Sequence, residues 1–459
     1  MKNLKKTLAL VAALTMTAAV FAGCTSEGGD TPADTTAAGG ADTTAAAGGE
    51  IVDTGDQLTM LGWNEELITW VNDYYFAKGK APEGVTFNPV NFGVGAEEAA
   101  AKYDDYFASG EDCDIYNVEA GWAMAYLDSE YAAAMSDIGI ADSEFDNIYD
   151  SILAVSKDSN GVIKGATMQS CAGGWIYRAD LADKYLGVKT MDEMQAKVSD
   201  WDKFLATAEE LKVASNGTCT IVSSLDMIWE VYSSARSQAW IVDNKLVITD
   251  EVNKFLDIAK TMADNKYVDL TITNWSDAWY AVGKTDDTFS YFAPSWGFVA
   301  GGYFDSATNG GTSGDWKAIV GPQGWSWGGT WMVVKAGTDN PATCADIIRS
   351  ICLDPESTAE FMLGTGQITA NKAANEIAVA QGYENPLIGG QNHWEVLAAT
   401  AEAMELVTTP YDAQVKSALQ ASYQAYVNPE AADHVETKEE CIEMFKDKVA
   451  ATITTLDWE

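Results

Sequence analysis

The sequence predicts an α/β fold in two lobes, each an open, mostly parallel sheet flanked by helices. Three observations carry this. Short strand-like runs alternate with helical patterns where the globular composition begins, and strand, helix, strand in succession implies parallel pairing through right-handed crossovers. The globular part, roughly 400 residues after Glu50, exceeds what one hydrophobic core usually organises, so it should divide. The chain also closes with a helix that carries its own start signal. Thr437-Lys438-Glu439-Glu440 has the capping-box pattern, and Ile442, Phe445, Val449 and Ile453 then share one apolar face.

In chain order, the first element is an export signal. Lys2, Lys5 and Lys6 form a basic start, and residues 8–21 follow as an uncharged, mostly apolar run too short to span a membrane comfortably. Phe21-Ala22-Gly23-Cys24 closes it with small residues and a cysteine. These four residues resemble the lipobox of bacterial lipoproteins, with Phe21 where leucine is usual. The expectation is a signal over residues 1–23, lipidation at Cys24, and a location on the outer face of the cytoplasmic membrane. Residues 24–55 are expected to be a disordered tether. Between Thr25 and Gly49 no large apolar side chain occurs, so this stretch buries too little surface to offset its ordering entropy.

The charge excludes some partners. The net charge is −40, and removing the three signal lysines takes it to −43; nucleic acid and anionic membrane surfaces both require basic patches. No metal and no cofactor are expected. The two histidines, His393 and His434, lie far apart, and the six cysteines after Cys24 show no CxxC spacing. Cys344 and Cys352 would lie about 12 Å apart along one helix, too far for a mutual disulfide. Whether the other cysteines are bridged is left open.

Residues 58–61, 85–87 and 114–118 read as the opening strands, with helical patterns over 66–76 and 97–108 between them. Ala100, Tyr103 and Phe107 mark the buried face of the second helix. In such sheets ligands collect beyond the carboxyl ends of the strands. There the chain places Trp63, Asn64 and Glu65 after the first strand, Asn91 and Phe92 after the second, and Glu119 and Trp122 after the third. Flat apolar faces beside hydrogen-bonding groups suit a sugar ring, whose C–H face stacks while its hydroxyls are satisfied at the edge. Each tryptophan has a plainer alternative role as a plug at the sheet edge.

The middle of the chain carries a resemblance. Ile163-Lys164-Gly165-Ala166-Thr167, Trp175 to Leu181 and Lys184-Tyr185-Leu186-Gly187 are similar to the crossover of family 1 extracellular solute-binding proteins. Gly187-Val188-Lys189-Thr190-Met191-Asp192-Glu193 continues it, without the family's usual Pro and Trp. Gly283-Lys284 before Phe289 to Trp296, then Ile319-Val320-Gly321-Pro322, Trp325 to Trp331 and Asn340-Pro341-Ala342 resemble later strands and a helix of that family. The resemblance covers nearly all of residues 57–459. It implies a periplasmic-binding-protein-like clamshell, with residues 56–168 and 328–368 in lobe one and 169–327 and 369–459 in lobe two. It further implies a monomeric substrate-binding lipoprotein of a carbohydrate ABC transporter in a Gram-positive bacterium, which passes an oligosaccharide to the permease subunits.

Further candidate ligand contacts lie in lobe two. Trp296 is one. Trp325 and Trp327, separated by one residue beside Gly328 and Gly329, should point the same way on a strand and form a stacking platform at the hinge; the alternative is a buried aromatic pair. Asp226 and Trp229 open a helix after a strand at 220–222 and are expected to face the cleft. The run 389–392 reads equally as hinge, ligand contact or loop. No nucleophile elbow, P-loop or dinucleotide fingerprint occurs, so the chain reads as a binder and not an enzyme. The alternatives are a binder of a non-sugar small solute or peptide, and a surface glycoside hydrolase.

Overall fold

The computed structural model describes residues 51–458; the expected signal, Cys24 and most of the expected tether lie outside the described residues. Asp53 and Thr54, within the stretch expected to be a tether, are hydrogen-bonded to the folded part. Asp53 accepts the backbone N–H groups of Ala342 (2.7 Å) and Thr343, capping the helix Pro341–Ile348, and Thr54 N–H donates to Asp339 O at 2.7 Å. These partners lie almost 300 residues away (|i−j| 289 for Asp53 and Ala342), where local composition gives no hint of them.

The first sheet is built from β1 (Gln57–Gly62), β2 (Thr86–Asn91), β3 (Ile115–Glu119), β4 (Gly165–Ala166) and the late strand β10 (Thr330–Val334), in the order β2-β1-β3-β10-β4. The second sheet centres on β5 (Gly173–Arg178). A small hairpin, β6 (Ile241–Val242) with β7 (Lys245–Leu246), precedes β8 (Ser290–Pro294) and β9 (Trp316–Ile319), which flank β5, and β10 (Thr330–Val334) returns to the first sheet. The opening strands and helices lie where the sequence places them. Pro89 is tolerated because β2 is an edge strand, where a missing N–H costs no ladder bond on the open side.

Strand direction departs from the mostly parallel expectation. β1 runs parallel to β2 and β3, but β10 is antiparallel to both its neighbours. The second sheet is wholly antiparallel. The cause is the hinge. β5 leaves it at Gly173, while β8 returns to it, pairing Pro294 with Gly173, and β9 leads back towards the crossing at Trp325. The expected strand at 220–222 is reduced to one parallel bridge, Thr220 to Thr288.

Two hydrophobic cores result. One gathers residues from Leu58 to Ala172 with those from Trp331 to Leu353; Phe361, Ala370, Ala401 and Met404 join it. The other gathers Trp175 to Trp325 and most buried apolar residues of the C-terminal helices. The chain crosses between them at Cys171–Gly173 and Trp325–Thr330, which are tied by Gly173 N–H to Trp325 O (2.9 Å) and Trp327 N–H to Cys171 O (3.1 Å). Gln169 joins the crossings by accepting from Thr330 N–H (3.0 Å) and donating to Gln367 (3.4 Å). Burial pushes the Glu66 carboxyl above its usual range, and its hydrogen bond with Gln367 opposes that shift.

The last helix, Lys438–Thr452, has its capping box: Thr437 Oγ1 accepts from Glu440 N–H at 3.2 Å, and the Glu440 carboxylate accepts from Thr437 N–H at 3.0 Å. Cys441, Phe445 and Val449 form its buried face, while Ile442, expected on that face, is half-buried. All six cysteines of the described region are free and buried.

Candidate functional site

Between the two cores lies a cavity of about 520 Å³. The first lobe contributes Glu119, the last residue of β3, and Trp122 just beyond it. The helix Leu225–Ser234 contributes Glu230, Ser233 and Ser234, and Arg236 and Trp240 follow it. Trp275 comes from the loop before the helix Asp277–Val282, and Ser326, Trp327 and Gly328 come from the hinge crossing. A segment from Leu406 to Gln420 closes the remaining side. A groove of about 630 Å³ also runs along the outer face of the last helix, but only that helix lines it and no aromatic residue is present. The inter-core cavity combines concavity, aromatic faces and convergent polar groups.

Its aromatic wall is layered. Trp296 stands behind, donating its indole N–H to Trp327 O at 2.8 Å. Trp275 stacks parallel to Trp296 (centroids 6.1 Å, 9°), and Trp327 is tilted by 54° from Trp275 at 5.6 Å. The chain turns sharply after Trp327, with φ of +72° at Gly328 and +120° at Gly329, a backbone that only glycine adopts without strain. Across the cavity, Trp122 packs edge-on to Trp63 at 6.0 Å.

The polar groups are arranged in pairs. Arg236 stacks over the Trp240 ring at 3.7 Å from its centroid, and its Nη2 donates to Val407 O (2.6 Å) and to the Asp412 carboxylate. Its Nε and Nη1, like the Trp122 indole N–H, are buried without an acceptor among the described residues. Lys416 Nζ donates to Glu230 at 2.9 Å. Glu119 Oε2 accepts from Gly121 N–H at 2.7 Å. Both cations of the cavity are therefore matched by carboxylates.

Of the residues singled out in the sequence, Glu119, Trp122 and Trp327 line this cavity, and Trp296 supports it from behind. The others do not line it. Asn64 Oδ1 accepts from Glu66 N–H at 3.0 Å and Asn91 Oδ1 from Gly93 N–H at 2.9 Å, so both shape local turns. Glu65 is exposed outside the cavity lining, and Trp63 is buried behind Trp122. Trp229 is buried against Phe255 and Tyr423. Trp325 is 0% exposed and packs edge-on to Phe292 at 5.8 Å. Asp226 turns to protein partners: Oδ1 accepts from Tyr423 Oη (2.8 Å) and Oδ2 from Asn274 N–H (3.3 Å).

The run 389–392 is scaffold. Gln391 exchanges two hydrogen bonds with the Ala318 backbone on the edge of β9, and Asn392 Oδ1 accepts from Trp394 N–H.

Sequence reasoning missed Trp240, Trp275 and Arg236. Trp275 carried a readable signal, an aromatic residue alone in the polar stretch Thr273-Asn274-Trp275-Ser276-Asp277.

One carboxylate cluster lies elsewhere. Oxygens of Asp112, Asp114 and Asp339 fall within 4.8 Å of one another at the end of β3 opposite the cavity. Asp114 already accepts from Thr59 N–H, Thr338 and Asn340, so this is a hydrogen-bonded junction.

A family model described as bacterial extracellular solute-binding protein matches residues 70–388. Among solved structures, the chain is similar to an extracellular solute-binding protein of family 1, with a TM-score of 0.74 and 18% identity, covering 86% of this chain and 99% of that one. It is also similar to the galacto-N-biose-/lacto-N-biose I-binding protein of an ABC transporter from Bifidobacterium longum, solved with lacto-N-biose (TM-score 0.66, 16% identity, 89% of this chain and 98% of that one). A third likeness is to an ABC transporter-associated binding protein from B. animalis subsp. lactis in complex with β-1,6-galactobiose (TM-score 0.61, 16% identity, 86% and 97%). At identities this low, the likeness shows the fold alone. No curated protein matches the chain in sequence. Among the described residues, no helix is long and apolar enough to cross a membrane.

Proposed function

Since this chain belongs to the bacterial extracellular solute-binding proteins, we propose that it captures a neutral oligosaccharide between its lobes and delivers it to an ABC importer. The observation that carries this reading is the set of Trp122, Trp240, Trp275 and Trp327 around one inter-core cavity with hydrogen-bonding groups among them. Indole faces stack on the C–H faces of pyranose rings, while Glu119, Ser233 and Ser234 offer groups for hydroxyls. Arg236 and Lys416 are already paired with Asp412 and Glu230. A uronate or sulfated sugar would therefore bring an unmatched charge into a cavity whose lining already sets three carboxylates, Glu119, Glu230 and Asp412, against these two cations. Solved proteins of similar fold bind lacto-N-biose and β-1,6-galactobiose, both neutral.

A thermal-shift screen of neutral and acidic di- to tetrasaccharides tests this. A ligand at 100 times its Kd adds about 2.7 kcal/mol, a rise of several degrees in Tm. The expected hits are neutral and are recovered uncleaved after incubation. Stabilisation by acidic sugars alone, or cleavage of the hit, would overturn the reading.

The reading includes a lipid anchor at Cys24, on the outer face of the cytoplasmic membrane. Cys24→Ala should leave Tm and affinity unchanged and release the protein from the membrane fraction in cells lacking the permease. Retention of the variant would contradict the anchor.

A further inference from the structure

Trp275 departs from ordinary folding preference in two ways. It is a non-glycine residue in the left-handed region, with φ of +70°, and its side chain is 49% exposed. A bulky residue with positive φ is a backbone outlier, and such strain persists only where the surroundings over-determine it. Here they do so on both sides. Asn274 is held twice, its N–H donating to Asp226 Oδ2 at 3.3 Å and its Oδ1 accepting from Ser224 Oγ at 2.6 Å. Asp226 is fixed in turn by Tyr423 Oη at 2.8 Å, which ties the loop to the helix Asp412–Val427. Ser276 caps the next helix through Trp279 N–H (3.2 Å) and donates its N–H and Oγ to Thr273 O. The loop thus clamps a strained residue whose ring, backed by Trp296 and inclined to Trp327, lines the inter-core cavity.

We infer that Trp275 is a principal ligand-stacking residue of the cleft, and that Asp226 is a positioning residue that sets its presentation. This rests on the sugar-binding reading above and adds which of its indole faces leads and how the loop holds that face in place. The ring is held from behind by Trp279, Trp296, Tyr303 and Trp327 yet keeps half its surface open, and preorganisation of that open face spares ordering at the moment of binding. The earlier expectation for Asp226 is thereby replaced: it acts on the ligand through the loop, one residue removed.

The test titrates the purified protein with the neutral disaccharides maltose, cellobiose and lactose by calorimetry. Four variants are compared: Trp275→Gly, Trp275→Phe, Asp226→Asn and the double variant Asp226→Asn/Trp275→Gly. Glycine accepts the left-handed backbone, so Trp275→Gly should keep Tm within about 3 °C of wild type while weakening affinity about thirtyfold or more. Trp275→Phe should retain most of the affinity. Asp226→Asn keeps an acceptor for Tyr423 but turns an amide towards Asn274 N–H; it should weaken binding about tenfold in the wild-type background and less than twofold when Trp275 is already glycine. Additive losses would reduce Asp226 to a structural role. Binding indifferent to Trp275→Gly, or a fall in Tm above about 10 °C in that variant, would overturn the inference alone. Failure of wild type to bind any neutral sugar would remove the sugar reading and this inference together.

Discussion

Trp325→Ala should lower stability by about 3–5 kcal/mol, the cost of a large aromatic residue cut from a packed core. Trp325 is fully buried, lies edge-on to Phe292, and fills the space above Gly173 so closely that even a methyl group there would collide with its ring. Its indole N–H has no acceptor among the described residues, so the loss is one of packing and not of hydrogen bonding. Its place makes the effect global, because Trp325 O accepts Gly173 N–H where the chain crosses between lobes. The measurement is the calorimetric Tm, expected to fall on the order of 10 °C. Gly173→Ala should produce a comparable fall by overpacking the same contact. An unchanged Tm in both variants would mean that this crossing is not packed as described.

Two residues along, the expected result reverses. Trp327→Ala should weaken sugar binding by about 2 kcal/mol or more, on the order of thirtyfold, with a much smaller change in Tm than Trp325→Ala. Trp327 is only partly buried, lines the cavity and stands against Trp275 and Trp296. A stacking face contributes part of its value only when ligand is present, so affinity and melting temperature measured on the same variant separate the two roles. Near-normal affinity with a large fall in Tm would move Trp327 into the core and leave Trp122, Trp240 and Trp275 as the stacking surfaces.

The contrast between these neighbours marks where sequence reasoning stops. Alternation along a strand puts residues two apart on one face, which is why Trp325 and Trp327 read as a pair. The crossing is not a regular strand: Ala172 to Ser326 is an isolated bridge, and the backbone turns at Gly328 and Gly329. One ring therefore enters the core and the other faces the cavity. The opening strands and helices and the final capped helix were legible because periodicity and capping are local. The antiparallel second sheet was not, since its direction follows from which strands leave the hinge and which return. Glu119 and Trp122 were found from their place at and just beyond the carboxyl end of β3. Arg236 was not, because its partner Asp412 lies far along the chain. Asp226 and Trp229 were rightly placed on a helix near the cleft but on the wrong face of it, a matter of packing against Phe255 and Tyr423 that a single sequence does not reveal.

The most direct test of the central claim is a crystal structure of the protein with a neutral oligosaccharide selected by thermal shift. The sugar should occupy the inter-core cavity, with pyranose rings stacked on Trp275 and Trp327 and hydroxyls bonded among Glu119, Ser233 and Ser234. Density for the sugar on the outer face of the last helix, or in the cavity without contact to either tryptophan, would contradict it.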